Sequence, residues 1–201
     1  MKKTFLKLMF VAATFLATTM TANAQIPISF SGLLGYASPQ GGYFKTDDGQ
    51  KLSKFGLNFD FDLLYHLDQF DYKLGVGVTY NASILFGADL DGFSKIGLYG
   101  LSHYAVKGQW RFFNTKVSPY GALSLGLNQF STPEISINDE VVVESQKAYG
   151  FGIRPEVGVD LAGFLISVGY VVPMKYSVYD TKETAGCLQF SIGGRFSLFD
   201  R

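Results

Sequence analysis

The sequence predicts an all-β protein, an eight-stranded antiparallel up-and-down transmembrane β-barrel. Three observations lead to this prediction: apolar and polar residues alternate with a period of two, the connections between alternating segments differ regularly in length, and the composition is unusual. Aromatic residues make up 16% of the chain, charged residues make up 17%, and there are 23 glycines. A sheet with a water-exposed face would normally carry more Lys, Glu and Thr.

The alternation is clearest in residues 55–65, FGLNFDFDLLY. Every second residue from the first is large and apolar, whereas Asn58, Asp60 and Asp62 fall on the other parity. Because successive side chains of a strand point to opposite faces of a sheet, this pattern indicates one apolar and one polar face. Seven further segments repeat the pattern, at residues 26–37, 72–85, 95–112, 117–128, 149–161, 164–172 and 188–198.

The connections between these segments alternate between long and short. Long polar loops are predicted at residues 38–54, 87–92, 131–147 and 174–186, and short connections at residues 66–71, 114–116 and 162–163. Outer-membrane barrels have short periplasmic turns and longer outer loops, so a periplasmic N-terminus would place all the long loops outside. In the third long loop, Asn138-Asp139 predicts the turn of a hairpin that projects beyond the main sheet.

One residue conflicts with this scheme. Pro155 lies in the middle of the segment at residues 149–161, where it removes a ladder hydrogen bond. A closed barrel offers no free edge on which a proline could be tolerated. We therefore expect a β-bulge at Pro155, or two separate strands in place of one.

The first 24 residues have the organisation of a secretory signal peptide. Three lysines among the first seven residues give a basic start, an apolar stretch follows at residues 8–17, and Ala22-Asn23-Ala24 is a small-residue cleavage site. The alternative is a membrane anchor, but the apolar stretch is shorter than the ~20 residues that a spanning helix needs. We predict that residues 1–24 are removed and that residues 25–201 form the outer-membrane barrel domain.

The net charge argues against nucleic-acid binding, and the cysteine content excludes an internal disulfide. Without the three leader lysines, the 17 Lys+Arg fall to 14 against 17 Asp+Glu, a net charge of −3 that does not favour nucleic-acid binding. The single cysteine, Cys187, cannot form an internal disulfide. An exported chain without disulfides must obtain its stability from other interactions.

A soluble barrel of the lipocalin type also alternates, but with its apolar face inside. The polar face here favours the membrane barrel, because Gly, Ser and Asn fit a narrow eight-stranded lumen that side chains just fill. Tyr and Trp near strand ends suit the aromatic girdles of a membrane barrel; these residues are Tyr36, Tyr65, Tyr72, Trp110, Tyr149 and Tyr170. The residues predicted to face lipid are Phe55, Leu57, Phe59, Phe61, Leu74, Val76, Val78, Ile166, Val168, Phe190 and Ile192. In lipid an unpaired strand edge has no water to bond, so the first and last strands must pair.

The leader, the alternating segments, GIRPEVGVDL at residues 152–161 and LQFSIGGRFSL at residues 188–198 together resemble the PorT-like outer-membrane β-barrel family. The resemblance covers essentially the whole chain after the leader. It implies a small barrel and an outer-membrane location. One branch of that family is linked to protein secretion and gliding machinery, while most members lack an assigned activity. The resemblance therefore implies no catalytic residue.

Ten titratable side chains are predicted to point into the lumen. They are Asp60, Asp62, Lys73, His103, Lys107, Arg111, Arg154, Glu156, Asp160 and Arg195. Because a buried charge must be paired, we expect ion pairs that plug the lumen and fix the strand register. A proton or ion path through these groups is the alternative. Arg195 is a candidate partner for Asp60 or Asp62, if the barrel brings them to the same level.

The sequence offers no residue set for catalysis or metal binding. Hydrolysis of a lipid ester would need a Ser–His–acid set, and the histidines are His66 and His103. We place His66 at a short turn, in a solvated or capping role, and His103 in the lumen with Ser102 on the opposite face. One cysteine and two distant histidines do not make a metal site. We predict no enzymatic activity, no metal and no cofactor.

The long loops are the remaining candidate binding surface, because binding residues often lie on loops that a rigid scaffold positions. These loops carry Tyr43, Phe44, Tyr176 and Tyr179; the bland alternative is a solvated cap. We expect a monomer in the outer membrane of a Gram-negative cell, in contact with membrane lipid, with a structural, adhesive or partner-binding role. The loops expected to meet an extracellular or envelope protein are residues 38–54, 131–147 and 174–186. The alternatives are a narrow channel for small apolar solutes and a soluble periplasmic lipid-binding barrel.

Overall fold

Strands dominate the described part of the chain. The computed structural model describes residues 26–45, 52–87, 97–133, 145–178 and 181–198, with the backbone alone at 135–137 and 140–143. The predicted signal peptide, the predicted Asn138-Asp139 turn and Tyr179 lie outside these residues. Within the described ranges, no helix combines the length and the apolar character needed to cross a membrane.

The strands occupy most of the segments that the alternation predicts. Their bounds are β1 Ile28–Gln40, β2 Ser53–His66, β3 Leu74–Gly87, β4 Leu98–Arg111, β5 Val117–Ser131, β6 Ile135–Ile137, β7 Glu140–Val143, β8 Lys147–Leu161, β9 Phe164–Val178 and β10 Thr181–Ser197. Short 3₁₀ turns lie at Gly42–Phe44 and Asp68–Phe70.

Eight of these strands close into a barrel in the order β1-β10-β9-β8-β5-β4-β3-β2. Every neighbouring pair is antiparallel, and β1 pairs with β10 from Ser29 opposite Ser197 to Gln40 opposite Gly186. The predicted eight-stranded up-and-down barrel is confirmed, as is the pairing of its first and last strands. The short β6 and β7 form a separate two-stranded sheet, which agrees with the hairpin predicted in the third long loop.

The two ends of the barrel differ in their connections. At one end, called the turn end below, β8 and β9 are joined by Ala162 and Gly163 alone, both with positive φ (55° and 97°). This backbone twist suits a two-residue hairpin. The other end, called the loop end, carries the segment between β1 and β2 and the β6–β7 hairpin.

The polar faces of the strands point inward and the apolar faces outward. On β2, Asn58 and Asp60 are buried, whereas Phe61 is 56% exposed on the outer wall. Large apolar side chains are exposed in the same way around the barrel, which is the reverse of the soluble lipid-binding alternative. This wall is suited to an apolar surrounding medium.

The predicted bulge at Pro155 is wrong. Pro155 lies opposite Leu123 in an unshifted β5–β8 ladder, and its side chain is exposed on the outer wall. In the described residues, the ladder between β8 and β9 runs from Leu161 opposite Phe164 only as far as Glu156 opposite Gly169. Pro155 lies just beyond the last pair of this ladder, so its missing N–H removes no bond from the described β8–β9 pairing.

The predicted long loop at residues 174–186 is also wrong. β9 continues to Val178 and β10 starts at Thr181, so these residues form an extended hairpin. The register shifts within it between Ala185 and Cys187. A bulge at this point, beside Pro173, changes the parity of β9, which is why the alternation in the sequence fades there.

Candidate functional site

A network of five charged side chains fills the middle of the lumen. These residues, called the central network below, are Asp60 and Asp62 on β2, Lys107 on β4, and Arg154 and Glu156 on β8. Lys107 Nζ lies 2.8 Å from Asp62 Oδ2 and 3.0 Å from Glu156 Oε2. Arg154 Nη2 lies 2.9 Å from Asp60 Oδ2, and Arg154 also pairs with Glu156. The inward parity of three separate strands therefore converges on one buried set of ion pairs.

Neutral polar side chains supply further hydrogen bonds to the central network, although Asp62 Oδ1 is buried without a hydrogen-bond partner in the described residues. Tyr120 donates to Glu156 Oε1 at 2.9 Å, and Arg154 Nε donates to Gln189 Oε1 at 2.7 Å. Gln189 in turn donates to Asn81 Oδ1 at 2.8 Å, and Asn81 donates to Asp60 Oδ1 at 2.6 Å. A buried ion pair needs such additional bonds to offset the loss of water.

Sequence reasoning did not identify Tyr120, Asn81 and Gln189 as members of this network. Each lies at an inward-facing position of its strand, and this position is the one feature of the sequence that indicates a place in the lumen. The sequence does not show which polar groups on different strands reach the same level of the lumen, because this depends on strand stagger around the barrel.

A second charge cluster lies at the turn end. Asp160 on β8 pairs with Arg195 on β10, and its Oδ2 lies 3.4 Å from Arg111 Nη2 on β4. Asp160 Oδ1 also accepts a hydrogen bond from the Gly163 N–H at 2.8 Å. Counting both clusters, four carboxylates face four cationic side chains, so the formal charges of the lumen balance.

Three titratable residues do not have the position or the ion-pair partner that the sequence analysis predicts. Lys73 lies in the turn before β3 and is only partly buried. Arg195 pairs with Asp160 rather than with Asp60 or Asp62. His66 is neither solvated nor a cap: it is buried at the end of β2, with Nε2 2.7 Å from Ser29 Oγ and Nδ1 3.2 Å from Tyr72 O.

His103 belongs to a Ser–His–Asn set that sequence reasoning missed. His103 Nε2 lies 2.9 Å from Ser124 Oγ, and Nδ1 lies 2.6 Å from Asn128 Oδ1. This order resembles a nucleophile, a base and an orienting group. However, Ser124 is only 1% exposed. Its hydroxyl also donates a hydrogen bond to Arg154 O at 3.2 Å. The three side chains are buried in this arrangement, and their hydrogen bonds link β4 to β5.

An apolar cluster closes the lumen at the loop end. Five aromatic residues, called the aromatic lid below, are Tyr43, Phe44, Tyr99, Phe130 and Tyr176. Phe130 is central, with ring centroids 4.9 Å from Tyr43, 6.0 Å from Phe44 and 5.4 Å from Tyr176. The free thiol of Cys187 and several aliphatic side chains pack into the same cluster. The lumen is thus occupied by ion pairs at its middle and by apolar side chains at its loop end.

Two hydrogen bonds between side chains and the backbone hold the aromatic lid in place. The Gly42 N–H donates to Thr184 Oγ1 at 3.1 Å, and Tyr43 Oη donates to Tyr176 O at 3.4 Å. The 3₁₀ turn between β1 and β2 is thereby attached to the β9–β10 hairpin. Phe44 and Tyr176 are both 2% exposed, so neither is available to a partner, in contrast to the loop role expected from the sequence.

The outer wall carries the residues predicted to face lipid. Eight of them are exposed, namely Phe55, Leu57, Phe61, Val76, Val78, Ile166, Phe190 and Ile192. Three are partly exposed on the same face, namely Phe59, Leu74 and Val168.

Within the described residues, no group of three or more His, Cys, Asp or Glu side chains could hold a metal ion. The arrangement presents an apolar outer wall, a lumen occupied by side chains at several levels and a structured loop end.

Comparison with known proteins shows a likeness of fold. No protein-family model matches the chain, and no curated protein matches it. Neisserial surface protein A (NspA) matches with a TM-score of 0.58 and 15% identity, over 85% of this chain and 97% of that one. The outer membrane protein OprG from Pseudomonas aeruginosa matches with a TM-score of 0.50 and 17% identity, over 85% and 95%. Ail, the attachment invasion locus protein of Yersinia pestis, matches with a TM-score of 0.49 and 20% identity, over 85% of this chain and 100% of that one. The chain is therefore a closed eight-stranded antiparallel β-barrel with the fold of small outer-membrane barrels.

Proposed function

We propose that this chain is a monomeric outer-membrane protein of a Gram-negative cell that binds an extracellular or envelope protein through its loop end. The observation that carries this proposal is the filled lumen, blocked by the central network and again by the aromatic lid. A barrel filled in this way is a poor conduit. Its apolar wall is suited to lipid, so a protein partner would meet one of the two ends, and the longer connections make the loop end the candidate.

The form of the loop end supports a binding role over a passive cap. The β9–β10 hairpin is ordered strand, and the buried Tyr176 and Val178 fix it to the aromatic lid. Its outer face presents Lys175, Ser177 and Lys182 to solvent. Recognition surfaces that are already ordered lose less conformational entropy on binding than flexible loops do.

Three further points belong to the proposal. The signal peptide at residues 1–24 exports the chain, and the barrel inserts into the outer membrane through its apolar wall. The leader, residues 152–161 and the final strand support placing the chain among PorT-like barrels. Catalysis has no part in the proposed role, because the Ser124–His103–Asn128 set is enclosed in the lumen.

Site-specific photo-crosslinking tests the binding role. A photoreactive residue at Ser177 or at Lys182, both on the hairpin, is expected to give discrete crosslinked products in intact cells. The matched control places the same group at Phe113 on the turn end, which is exposed but faces the opposite side. Products that form equally from Phe113, or the absence of discrete products from both Ser177 and Lys182, would contradict a loop-end partner.

A narrow channel for small apolar solutes is the second candidate. It is favoured by one observation, the unpaired stretch between β8 beyond Glu156 and β9 beyond Gly169. Planar-bilayer recording and vesicle swelling with an apolar solute test it. We expect neither ion conductance nor faster solute entry, because Tyr176 packs beside Gly150 across this stretch. Rapid solute entry that a Gly150→Trp substitution abolishes would support the channel instead.

A further inference from the structure

We infer that the turn end of the barrel contains a binding pocket for a phosphate group. A cavity of about 400 Å³ opens there, lined by Arg111, Asn114, Thr115, Lys116, Asp160, Ala162 and Arg195. Three cationic side chains and one carboxylate line it, so its formal charge is +2. The inference is independent of the partner proposed for the loop end.

Unpartnered arginine nitrogens distinguish this pocket from an ordinary ion-pair cluster. Arg111 is 3% exposed, and neither its Nε nor its Nη1 has a hydrogen-bond partner in the described part of the protein. Arg195 Nε is likewise buried without a hydrogen-bond partner there. A buried charged donor left without an acceptor costs free energy, so a ligand that supplies acceptors would bind favourably.

The internal carboxylate does not meet this demand. Asp160 Oδ1 accepts a hydrogen bond from the Gly163 N–H, and its Oδ2 forms ion pairs with Arg195 and, at 3.4 Å, with Arg111 Nη2. These contacts leave the Nε atoms of both arginines and Arg111 Nη1 without an acceptor among the described residues. Arg111 Nη2 also donates to Thr115 O at 3.2 Å. The nitrogens left over belong to two different guanidinium groups, and the exposed Lys116 lies at the rim.

A tetrahedral oxyanion matches this set of donors. Phosphate offers several acceptor oxygens in different directions, and arginine binds phosphate through paired, charge-assisted hydrogen bonds. The chemistry is shared by two sources, inorganic phosphate and the headgroup of a phospholipid in the adjoining leaflet. The cavity volume leaves room for either.

Calorimetric titration of inorganic phosphate into the full mature barrel, folded in a nonionic detergent, tests the pocket. We expect saturable binding that Arg111→Gln weakens about tenfold or more, since the lost bonds are charge-assisted. Asp160→Asn is expected to tighten binding, because it removes the competing carboxylate. These opposite signs separate a binding role from a general loss of structure. Lys175→Gln, at the loop end, should leave the affinity unchanged.

If Arg111→Gln does not fold, the rim residue Lys116 provides the test, because it is exposed and Lys116→Glu leaves the core intact. We expect Lys116→Glu to weaken phosphate binding severalfold. Absence of saturable binding to the unaltered barrel, or binding that neither Arg111→Gln nor Lys116→Glu weakens, would overturn the inference.

Repeating the titration in phospholipid nanodiscs identifies the source of the phosphate. Binding that is present in detergent and suppressed in nanodiscs supports the pocket and assigns it to a lipid headgroup. Binding that persists equally in nanodiscs supports the pocket and assigns it to free phosphate.

Discussion

Arg154 illustrates how a single residue organises the lumen. Its guanidinium pairs with Asp60 and Glu156, and its Nε donates to Gln189. The side chain also fills space next to Gly169, where a Cβ would lie 2.6 Å from Arg154 Nη2. One side chain on β8 is thereby tied to acceptors on β2 and β10, which fixes the levels of three strands relative to one another.

Removing the Arg154 charge is expected to destabilise the barrel strongly. Arg154→Met leaves the Asp60 and Glu156 carboxylates buried with fewer partners, so the free energy of unfolding should fall by about 3–5 kcal/mol. Urea unfolding in phospholipid vesicles, followed through the fluorescence of the single tryptophan, measures the change. Lys175→Met on the exposed hairpin is the control and should have no measurable effect. Equal stability of both variants would show that the central network has no structural role.

The outer wall gives a second prediction at the residue scale. Phe59 is the seventh of the 14 residues of β2, near the expected membrane midplane, whereas Phe55 is the third, near the loop end. Phe59→Arg should therefore cost about 2–4 kcal/mol of folding free energy in bilayers, and Phe55→Arg only about 0–1 kcal/mol. Vesicle unfolding titrations compare the two. A cost for Phe55→Arg as large as for Phe59→Arg would contradict the assigned membrane depth.

At the scale of elements, the seam between β1 and β10 closes the barrel and depends on close backbone approach. A Cβ at Gly35 on β1 would collide with the Phe190 carbonyl and lie 2.8 Å from Ser191 Cα. Gly193 on β10 meets the backbone of β1 in the same way. The inward glycines therefore serve the tight curvature of a small barrel as well as the space needs of the lumen.

Gly35→Ala should destabilise the barrel, because the added methyl group meets rigid backbone rather than a flexible side chain. We expect a loss of about 1–3 kcal/mol in the free energy of unfolding, the usual range for overpacking. Gly121→Ala is a matched control, since a Cβ at Gly121 meets nothing within 4 Å. The same urea titration serves both variants. If Gly35→Ala were tolerated as well as Gly121→Ala, the close approach at the seam would be refuted.

The β9–β10 hairpin shows how an element can combine two functions. Its lower half completes the barrel wall, while beyond the register shift near Pro173 it places Tyr176 and Val178 in the apolar cluster at the loop end. The hairpin therefore helps to close the lumen and also projects a polar outer face. This arrangement explains why a polar, glycine-containing stretch of sequence is strand and not loop.

At the scale of the whole molecule, the barrel is inverted relative to a soluble protein. Balanced charges occupy the inside and large apolar side chains cover the outside. All neighbouring strands of the main sheet are paired at the turn end, and the described ladder between β8 and β9 ends at Glu156 opposite Gly169. Such a molecule should be stable in lipid and unstable in water, because water would have to hydrate the large apolar side chains on its outer wall.

Electrophoresis of the membrane-fraction protein, unheated and boiled, tests this architecture. We expect a heat-dependent shift in mobility, because a closed barrel resists detergent at low temperature and unfolds on boiling. The protein should also remain in the outer-membrane fraction after a carbonate wash. Recovery in the soluble periplasm without any shift would refute the membrane orientation of the apolar wall.

The fold was largely predictable from sequence, because strand periodicity is a local property. The pattern at residues 55–65 alone assigns Phe61 outward and Asp60 inward, and the structure has both in those positions. The hairpin at 174–186 was missed because its bulge breaks the period. The bulge expected at Pro155 is absent because the β8–β9 ladder ends at Glu156, and the sequence does not show where a ladder ends.

The site was less predictable than the fold. Inward parity identifies Arg154, Lys107 and Asp62 as lumen residues, but not as partners. Their pairing depends on how far each strand is staggered against the next, a property of the closed barrel. The aromatic lid follows the same rule, since Phe44 and Phe130 are 86 positions apart in the sequence and meet only after closure.

Alternation between adjacent residues was enough to locate most strands, most side-chain directions and the separation of apolar from polar faces, but not the β9–β10 hairpin beyond its register shift. The tertiary structure alone decided which charges pair, how the loop end closes and where unpartnered arginine nitrogens remain. These depend on contacts between strands that are distant in the chain, and such contacts are fixed only when the barrel closes with one register at every seam.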